Sequence, residues 1–510
     1  MDEATLSGAL EQAFVCYKDK TALTFRDERF TYEDLDRISA CVAQELSEKG
    51  LGRGDRIAVR LGRGMGMVFL YLACLRLGVV MLPLNPMYSL EEVAYFLSDS
   101  ESKLLVAEPG SRSIMDPLLE DLPHLEQILY LDPSGGSWKR PGSGYGVDHS
   151  MPVQPQDGAI MLYTSGTTGP PKGCIMTQKS TIVNLRALHQ AWGITEADRL
   201  MHVLPLNHGH GLYVAFTGCL IAGCSIFMKE RFEPQVVLRD MEEHQLTLFM
   251  GVPTHYHRLV EIHGHEPFDL SSVRLFISGS APLPETLFAR FREIYGHTIL
   301  ERYGMTEIGI HLSNPLEGER LPGKVGFPLE GTEARVVDME KRRFLGTGQK
   351  GELEVKGPNV FSGYWKKPEE TRKGFTQDGW FKTGDLAEVD EHGRFSIVGR
   401  VKDLIISGGL NISPFEVEQA INTHPGVVES AVIGVPDKDF GEKVIAYLIL
   451  RDPDAPPSLE DIQETCKKRL ASYKKPKEIH FPKALPRNSM GKVEKSALRQ
   501  HYTDMARSTT

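Results

Sequence analysis

YTSGTTGPPKG, residues 163–173, is the segment from which the rest of the chain can be read. It follows AIML, an apolar run with the texture of a buried strand, and precedes a helical run after Gln178. Gly166, Gly169 and Gly173 let the backbone turn so that its N–H groups face inward. Thr164, Ser165, Thr167 and Thr168 add hydroxyls, and Lys172 adds a cation. Amides, hydroxyls and a lysine converging on one point make a phosphate cradle. The pattern GxxxxGK[ST] is absent, because proline precedes the lysine and glycine follows it. A flexible surface loop would suit GTTG alone. It suits poorly a loop that leaves a buried strand and carries two prolines and a lysine.

Outward from this loop, helix-like and strand-like segments alternate. TYEDLDRISACVAQELSEKG has apolar residues at helical spacing behind Thr31 as a cap, RIAVRL follows as a strand, then a helix over 66–77 and VVMLPL as a strand. QLTLFMGVP and VRLFISGS are apolar strands ending at glycine, serine or proline, where α/β folds place ligands. This order predicts an α/β fold with layered, mostly parallel sheet and helices on its faces. From about residue 320 the strands become short and turn-rich (ARVVD, GELEVKG, GRFSIVG), which predicts a small antiparallel, β-barrel-like unit. After Arg400 comes a compact α/β stretch: DLIIS, PFEVEQAI, VVESAVIGVP, KVIAYLIL and DIQETCKKRLA. We therefore divide the chain at 400–403, into a large domain 1–400 and a small domain 401–510.

Composition bounds the function. The 510 residues carry a net charge of −10 spread along the chain, which argues against a nucleic-acid footprint. Seven cysteines with no CxxC pair fit a reducing compartment and no metal cluster. The N-terminus MDEATLSGAL has no basic n-region, ARSTT is no peroxisomal signal, and MGMVFLYLACLRLGVVMLPL is interrupted by Arg76 and proline. A soluble, cytoplasmic protein with no membrane span is expected.

Four further segments join the loop in order: YGMTE (303–307), GWFKTGDLAEVDEHGRFSIVGR (379–400), KDLIISGGLNISPFEVE (402–418) and PRNSMGKVEK (486–495). Together the five resemble the acyl-adenylate-forming family, which includes acyl-CoA synthetases, peptide-synthetase adenylation domains and luciferases. The resemblance implies a two-step reaction using ATP, Mg²⁺ and CoA. A carboxylate attacks the α-phosphate of ATP to give acyl-AMP and pyrophosphate; a thiol then displaces AMP. By the same resemblance, residues 164–169 and Lys172 hold phosphates. Tyr303, Gly304, Met305 and Thr306 line the nucleotide, and Glu307 with Thr164 holds Mg²⁺. Asp385 accepts from the ribose hydroxyls with Arg400 beside it, and Lys492 bridges the attacking carboxylate and the α-phosphate. Lys402 falls at the hinge about which the small domain rotates, and Ser407, Gly408 and Gly409 line the pantetheine channel.

The acid is read from Arg302, directly before YGMTE, where many fatty-acyl and aryl members carry glycine. A buried arginine is tolerable only if an anion meets it, and a second carboxylate bound bidentately fits. LPLNHGHGLY (204–213) sets His208 and His210 on alternate residues where the family lines its acyl pocket, and Gly279 and Ser280 of SGSAPL are assigned to the same acyl site. HGHGL, MGVPT, SGSAPL, ERYGMTE and SNP closely resemble malonyl-CoA synthetases, so malonate is expected, with methylmalonate tolerated. Asn207, the run Ile308–His311 and Gln178 depart from that pattern. The alternatives are a medium-chain fatty or aryl acid–CoA ligase, and an adenylation enzyme that loads a carrier protein in trans.

Overall fold

Thr31 caps a helix over Tyr32–Glu48: its hydroxyl accepts the Asp34 N–H while the Asp34 carboxylate accepts the Thr31 N–H. Such reciprocal caps contribute about 1 kcal/mol. The strand Arg56–Arg60 follows, then the helix Met65–Leu77 and the parallel strand Val80–Pro83. Every residue of that helix is buried, which explains why its sequence shows no polar face. Arg76 inside it is satisfied by Asp36 and the Ser39 hydroxyl. No helix among the described residues is long and apolar enough to cross a membrane.

The computed structural model describes residues 4–139, 152–164, 170–262, 268–487 and 492–508. They fall into two compact units: residues 1–322, 326–333 and 356–381 form the first, and residues 323–325, 334–355 and 382–510 the second.

The first unit holds two sheets. One has six strands in the order Gln127–Tyr130, Leu104–Ala107, Arg56–Arg60, Val80–Pro83, Gly158–Thr164 and Lys172–Thr177, parallel except for the last pair. That last strand corrects the expectation that the glycine-rich loop runs directly into a helix. KGCIMT pairs back antiparallel on the strand before the loop, with Thr164 opposite Lys172, and only then does Thr177 cap the helix Gln178–Trp192. The other sheet has nine strands. Its parallel centre runs Leu300–Met305, Leu275–Ser278, Leu248–Gly251, Arg199–His202, Ser225–Met228 and Thr21–Phe25, with antiparallel strands at both edges. Phe249, Phe276, Phe291 and Tyr256 interlock on one face of it, each worth about 1.5–3 kcal/mol when buried.

In the second unit the turn-rich segments form a four-stranded sheet, Glu333–Val337, Gly351–Lys356, Phe381–Val389 and Phe395–Arg400 in that order; the expected barrel-like unit is this sheet. The C-terminal stretch adds a five-stranded sheet whose long hairpin pairs Val427–Asp437 with Gly441–Leu450, covered by the helices Pro414–Ile421 and Leu459–Lys467.

Candidate active site

ERYGMTE closes a hairpin. Leu300–Met305 is a strand, Thr306–Ile308 turns, and Gly309–Ser313 returns antiparallel, with Arg302 opposite Ser313 and Met305 opposite Gly309. Buried Asn184 clamps the return strand, accepting the Ile310 N–H at 3.0 Å and donating to the Ile310 carbonyl at 2.6 Å. Of the departures from the family pattern, Ile308 and Ile310 are core residues, and His311 bonds to the Glu333 carbonyl and Asn359. The buried Gln178 accepts the Ser7 N–H.

Glu307 leaves this turn with 4 % exposure, and its Oε1 accepts the Tyr364 hydroxyl at 3.0 Å. Burial first, then the Glu307 charge, raises the Tyr364 phenol well above its ordinary value, so it stays a donor. Tyr364 also lies 5.1 Å beneath the Lys172 ammonium, which pairs with Glu370 at 2.7 Å. Glu370 is held down at about 2, chiefly by Lys172 and then Lys373. Thr164 and Lys172 thus stand as the two posts of the glycine-rich loop. Ser165, Gly166, Thr167, Thr168 and Gly169 lie outside the described residues. A buried carboxylate is a hard oxygen donor of the kind Mg²⁺ takes, so Glu307 fits that ion. Neither Tyr364 nor Glu370 was anticipated; FSGYW and KPEET carry no spacing that singles them out.

On the other side of the same strand lies Arg302, 5 % exposed. Its Nε and Nη2 are buried and make no hydrogen bond among the described residues. Burial pulls the guanidinium down to about 10, still charged at neutral pH. The group lies flat against the backbone at Gly279, where a Cβ would sit 2.3 Å from Arg302 Cζ. Next to Gly279, Ser280 adopts φ +69°, and its hydroxyl meets His210 Nδ1 at 3.2 Å. His210 Nε2 is buried and without a hydrogen-bond partner among the described residues. Burial, then Arg302, then His208, His255 and His202 hold His210 well below its ordinary value, so the ring is neutral. Its backbone N–H donates to His208 Nδ1 at 3.2 Å, which leaves His208 Nε2 to carry that ring's proton. The two histidines are therefore brought together with Arg302, but not as alternate residues of an extended wall. His210–Thr217 winds as a π-helix, because HGLYVAFT is buried on every side and no in–out alternation exists to hold a strand.

Within the second unit, Asp385 and Arg400 are register partners on neighbouring strands and form an ion pair at 2.8 Å. Lys402 sits in the short turn Val401–Asp403, where burial and then Arg400 lower its pKa. Lys492 joins the same cluster: burial first, then Arg400, bring its ammonium down to about 8, with Asp385 acting the other way. An Arg487–Val493 bridge and the Lys495 ammonium on half-buried Glu418 at 2.7 Å flank it. Ser407-Gly408-Gly409 is a two-glycine hairpin turn, φ +59° and +78°, the mirror-image turn only glycine makes cheaply. The Gly408 N–H donates to the Phe440 carbonyl at 2.8 Å, and Ile406, Leu410 and Phe440 stand exposed around it.

Comparison with known proteins shows the family and the fold. The model of the AMP-binding enzyme family matches residues 10–365, and that of the AMP-binding enzyme C-terminal domain matches residues 416–492. Human malonate–CoA ligase ACSF3, mitochondrial, is 35 % identical over 96 % of this chain and 91 % of its own length. The oxalate–CoA ligase of Arabidopsis thaliana is 34 % identical over 99 % of this chain and 100 % of its own. The crystal structure of ATP-bound MatB from Rhodopseudomonas palustris superposes with a TM-score of 0.92 at 40 % identity, covering 98 % of this chain and 99 % of that one.

Proposed function

We infer that this chain, which belongs to the AMP-binding enzyme family and is an ATP-dependent acid–CoA ligase of it, takes malonate as its acid. One observation carries the choice of acid. Arg302 is a buried, charged fork with two N–H groups that nothing among the described residues accepts, and His210 Nε2 is a third buried polar atom without a partner among them. A buried cation without a partner costs several kcal/mol, so a pocket built this way is completed by an anion. The reacting carboxylate must stay free to attack, so the anion at Arg302 is a second carboxylate on the same small acid. Relatives named for malonate and oxalate are both ligases of short dicarboxylates.

The roles then divide as follows. Arg302, His210 and His208 hold the distal carboxylate, with Gly279 and Ser280 shaping that end. Thr164, residues 165–169 and Lys172 hold the β- and γ-phosphates; Tyr303, Gly304, Met305 and Thr306 line the nucleotide. Glu307 and Thr164 would hold Mg²⁺, which neutralises phosphate charge when bound. One malonate oxygen attacks the α-phosphorus, the bond to the β-phosphate bridging oxygen breaks, and pyrophosphate leaves. Lys492 neutralises the charge gathered between attacking carboxylate and α-phosphate. Asp385 and Arg400 hold the ribose. We place the functional division of the chain at 400/401, with 401–510 turning about Lys402 so that Ser407-Gly408-Gly409 faces the pantetheine of CoA. The thiolate sulfur then attacks the acyl carbon and AMP leaves. A cytoplasmic location is our assignment: all seven cysteines are free, as a reducing compartment keeps them. Fractionation against mitochondrial markers tests it.

The deciding experiment is AMP release with ATP, Mg²⁺ and CoA against malonate, methylmalonate, oxalate, succinate, acetate, hexanoate and benzoate. Malonate is expected to lead in kcat/KM, with methylmalonate behind it. Hexanoate or benzoate in front would leave the ligase and remove the dicarboxylate.

A further inference from the structure

A second guanidinium lies near the acid pocket and has no part in the roles above. Arg63 follows the strand Arg56–Arg60, at the carboxyl end of a parallel sheet. Its Nη1 donates to the Leu204 carbonyl at 2.6 Å and its Nη2 to the His202 carbonyl at 2.7 Å. Nη2 also meets His202 Nδ1. That ring nitrogen faces a donor that cannot give up its proton, so it accepts, and the His202 proton sits on Nε2. From there it donates to the Gly211 carbonyl at 2.9 Å. His202 is 1 % exposed, and burial, then the Arg63 charge, hold it at about 3. It is a neutral relay from a guanidinium to a backbone oxygen.

The relay closes a loop. Arg63 pins residues 202 and 204, and His202 pins residue 211. Between them Gly211 presses on Pro205, where a Cβ would lie 2.0 Å from the carbonyl oxygen. The closed segment carries His208 and His210, the two rings assigned to the distal carboxylate. Arg63 has an electrostatic route as well. Its charge acts on His255, which burial, then Arg258, then Arg63 bring to about 4, and His255 and His202 both act on His210. A neutral amide could donate to two carbonyls. A cation there costs desolvation, which burial registers by bringing Arg63 down to about 9.

We propose that Arg63, through its hydrogen bonds to His202 and Leu204, is the positioning residue that presents His208 and His210 to the far carboxylate, and so sets the preference for a dicarboxylate without touching it. This role rests on the assignment of malonate to the Arg302 pocket.

The test compares malonate with acetate, which lacks the second carboxylate, in wild-type enzyme and in Arg63→Met, His202→Leu and His202→Gln. Arg63→Met is expected to raise the malonate KM about a hundredfold, as a misplaced binding group does. The ATP KM should stay within about twofold, and acetate turnover should lose far less. His202→Leu breaks the relay from its other end and should reproduce that pattern, so the role is tested even if Arg63→Met does not fold. His202→Gln can accept from Arg63 and donate to Gly211, and should keep most of the malonate preference. Equal losses for malonate and acetate, or an unchanged malonate KM in both Arg63→Met and His202→Leu, overturn the role. If wild-type enzyme shows no preference for malonate over acetate, the pocket assignment falls and this role falls with it. A wild-type preference that Arg63→Met and His202→Leu retain removes the role alone.

Discussion

Replacing Arg302 by methionine should move stability and activity in opposite directions. In the free protein the Arg302 Nε and Nη2 are buried donors with no partner among the described residues. Each unsatisfied buried donor costs about 1–3 kcal/mol. Methionine fills much of the same volume with no polar atom, so Arg302→Met should stabilise the free protein by about 1–3 kcal/mol. With malonate bound the account reverses. Two hydrogen bonds from a cation to a carboxylate are worth about 1.5–3 kcal/mol each. Taking the lower figure for both gives ~3 kcal/mol, or a fall of about 150-fold in kcat/KM for malonate at 1.36 kcal/mol per decade. Acetate leaves the fork empty in both enzymes, so its kcat/KM should change by less than about threefold. The assays are thermal unfolding with and without malonate, and AMP release with each acid. Malonate should raise the melting temperature of wild type and leave that of Arg302→Met unchanged. A variant that melts lower than wild type while keeping the malonate preference would refute the reasoning, because Arg302 would then be a member of the core.

Three further outcomes follow from the geometry. Gly279→Ala places a Cβ 2.3 Å from Arg302 Cζ, the mobile end of a flexible side chain, so the guanidinium should swing aside. We expect a malonate KM raised about tenfold with stability changed by less than ~1 kcal/mol; a large loss of stability with unchanged KM would count against it. Lys492, brought to about 8 by burial and then Arg400, loses its cation as pH rises through that value, so kcat/KM should fall above pH ~8. Lys492→Arg should shift that falling limb upward. Because the folded pKa lies below the unfolded 10.5, deprotonation of Lys492 stabilises the fold between those values, and the lost activity is not unfolding through this group. A wild-type profile flat to pH 9.5 would sink this. Tyr364→Phe removes the hydroxyl that Glu307 Oε1 accepts at 3.0 Å, and should raise the Mg²⁺ concentration for half-maximal activity about tenfold. An unchanged Mg²⁺ dependence with unchanged malonate KM would place the ion elsewhere.

The sequence by itself determined the family and the alternation of elements, and it named the candidates for the chemistry. The reason is that these depend on short-range features: strands that end at glycine, caps such as Thr31 with Asp34, and ordered motifs. It singled out Arg302 through the family resemblance, since a charge two residues before a glycine is by itself as compatible with a solvated side chain as with one that meets an anion. It could not determine what Arg302 faces. The contact with Gly279 joins residues 23 positions apart, and the Ser280–His210 bond joins residues 70 apart, from separate elements of the fold. Nor could it show that Lys172 begins a returning strand, since the pairing partner that makes KGCIMT a strand lies across a loop. The π-helix at His210 was illegible because a segment buried on all sides carries no periodic signal. Arg63 is the plainest case. In sequence it is one arginine among glycines; only the fold brings it to the carbonyls of His202 and Leu204, 139 and 141 positions away. Backbone oxygens carry no signature in a sequence. A residue that works by holding them becomes visible only when the sheet has placed them.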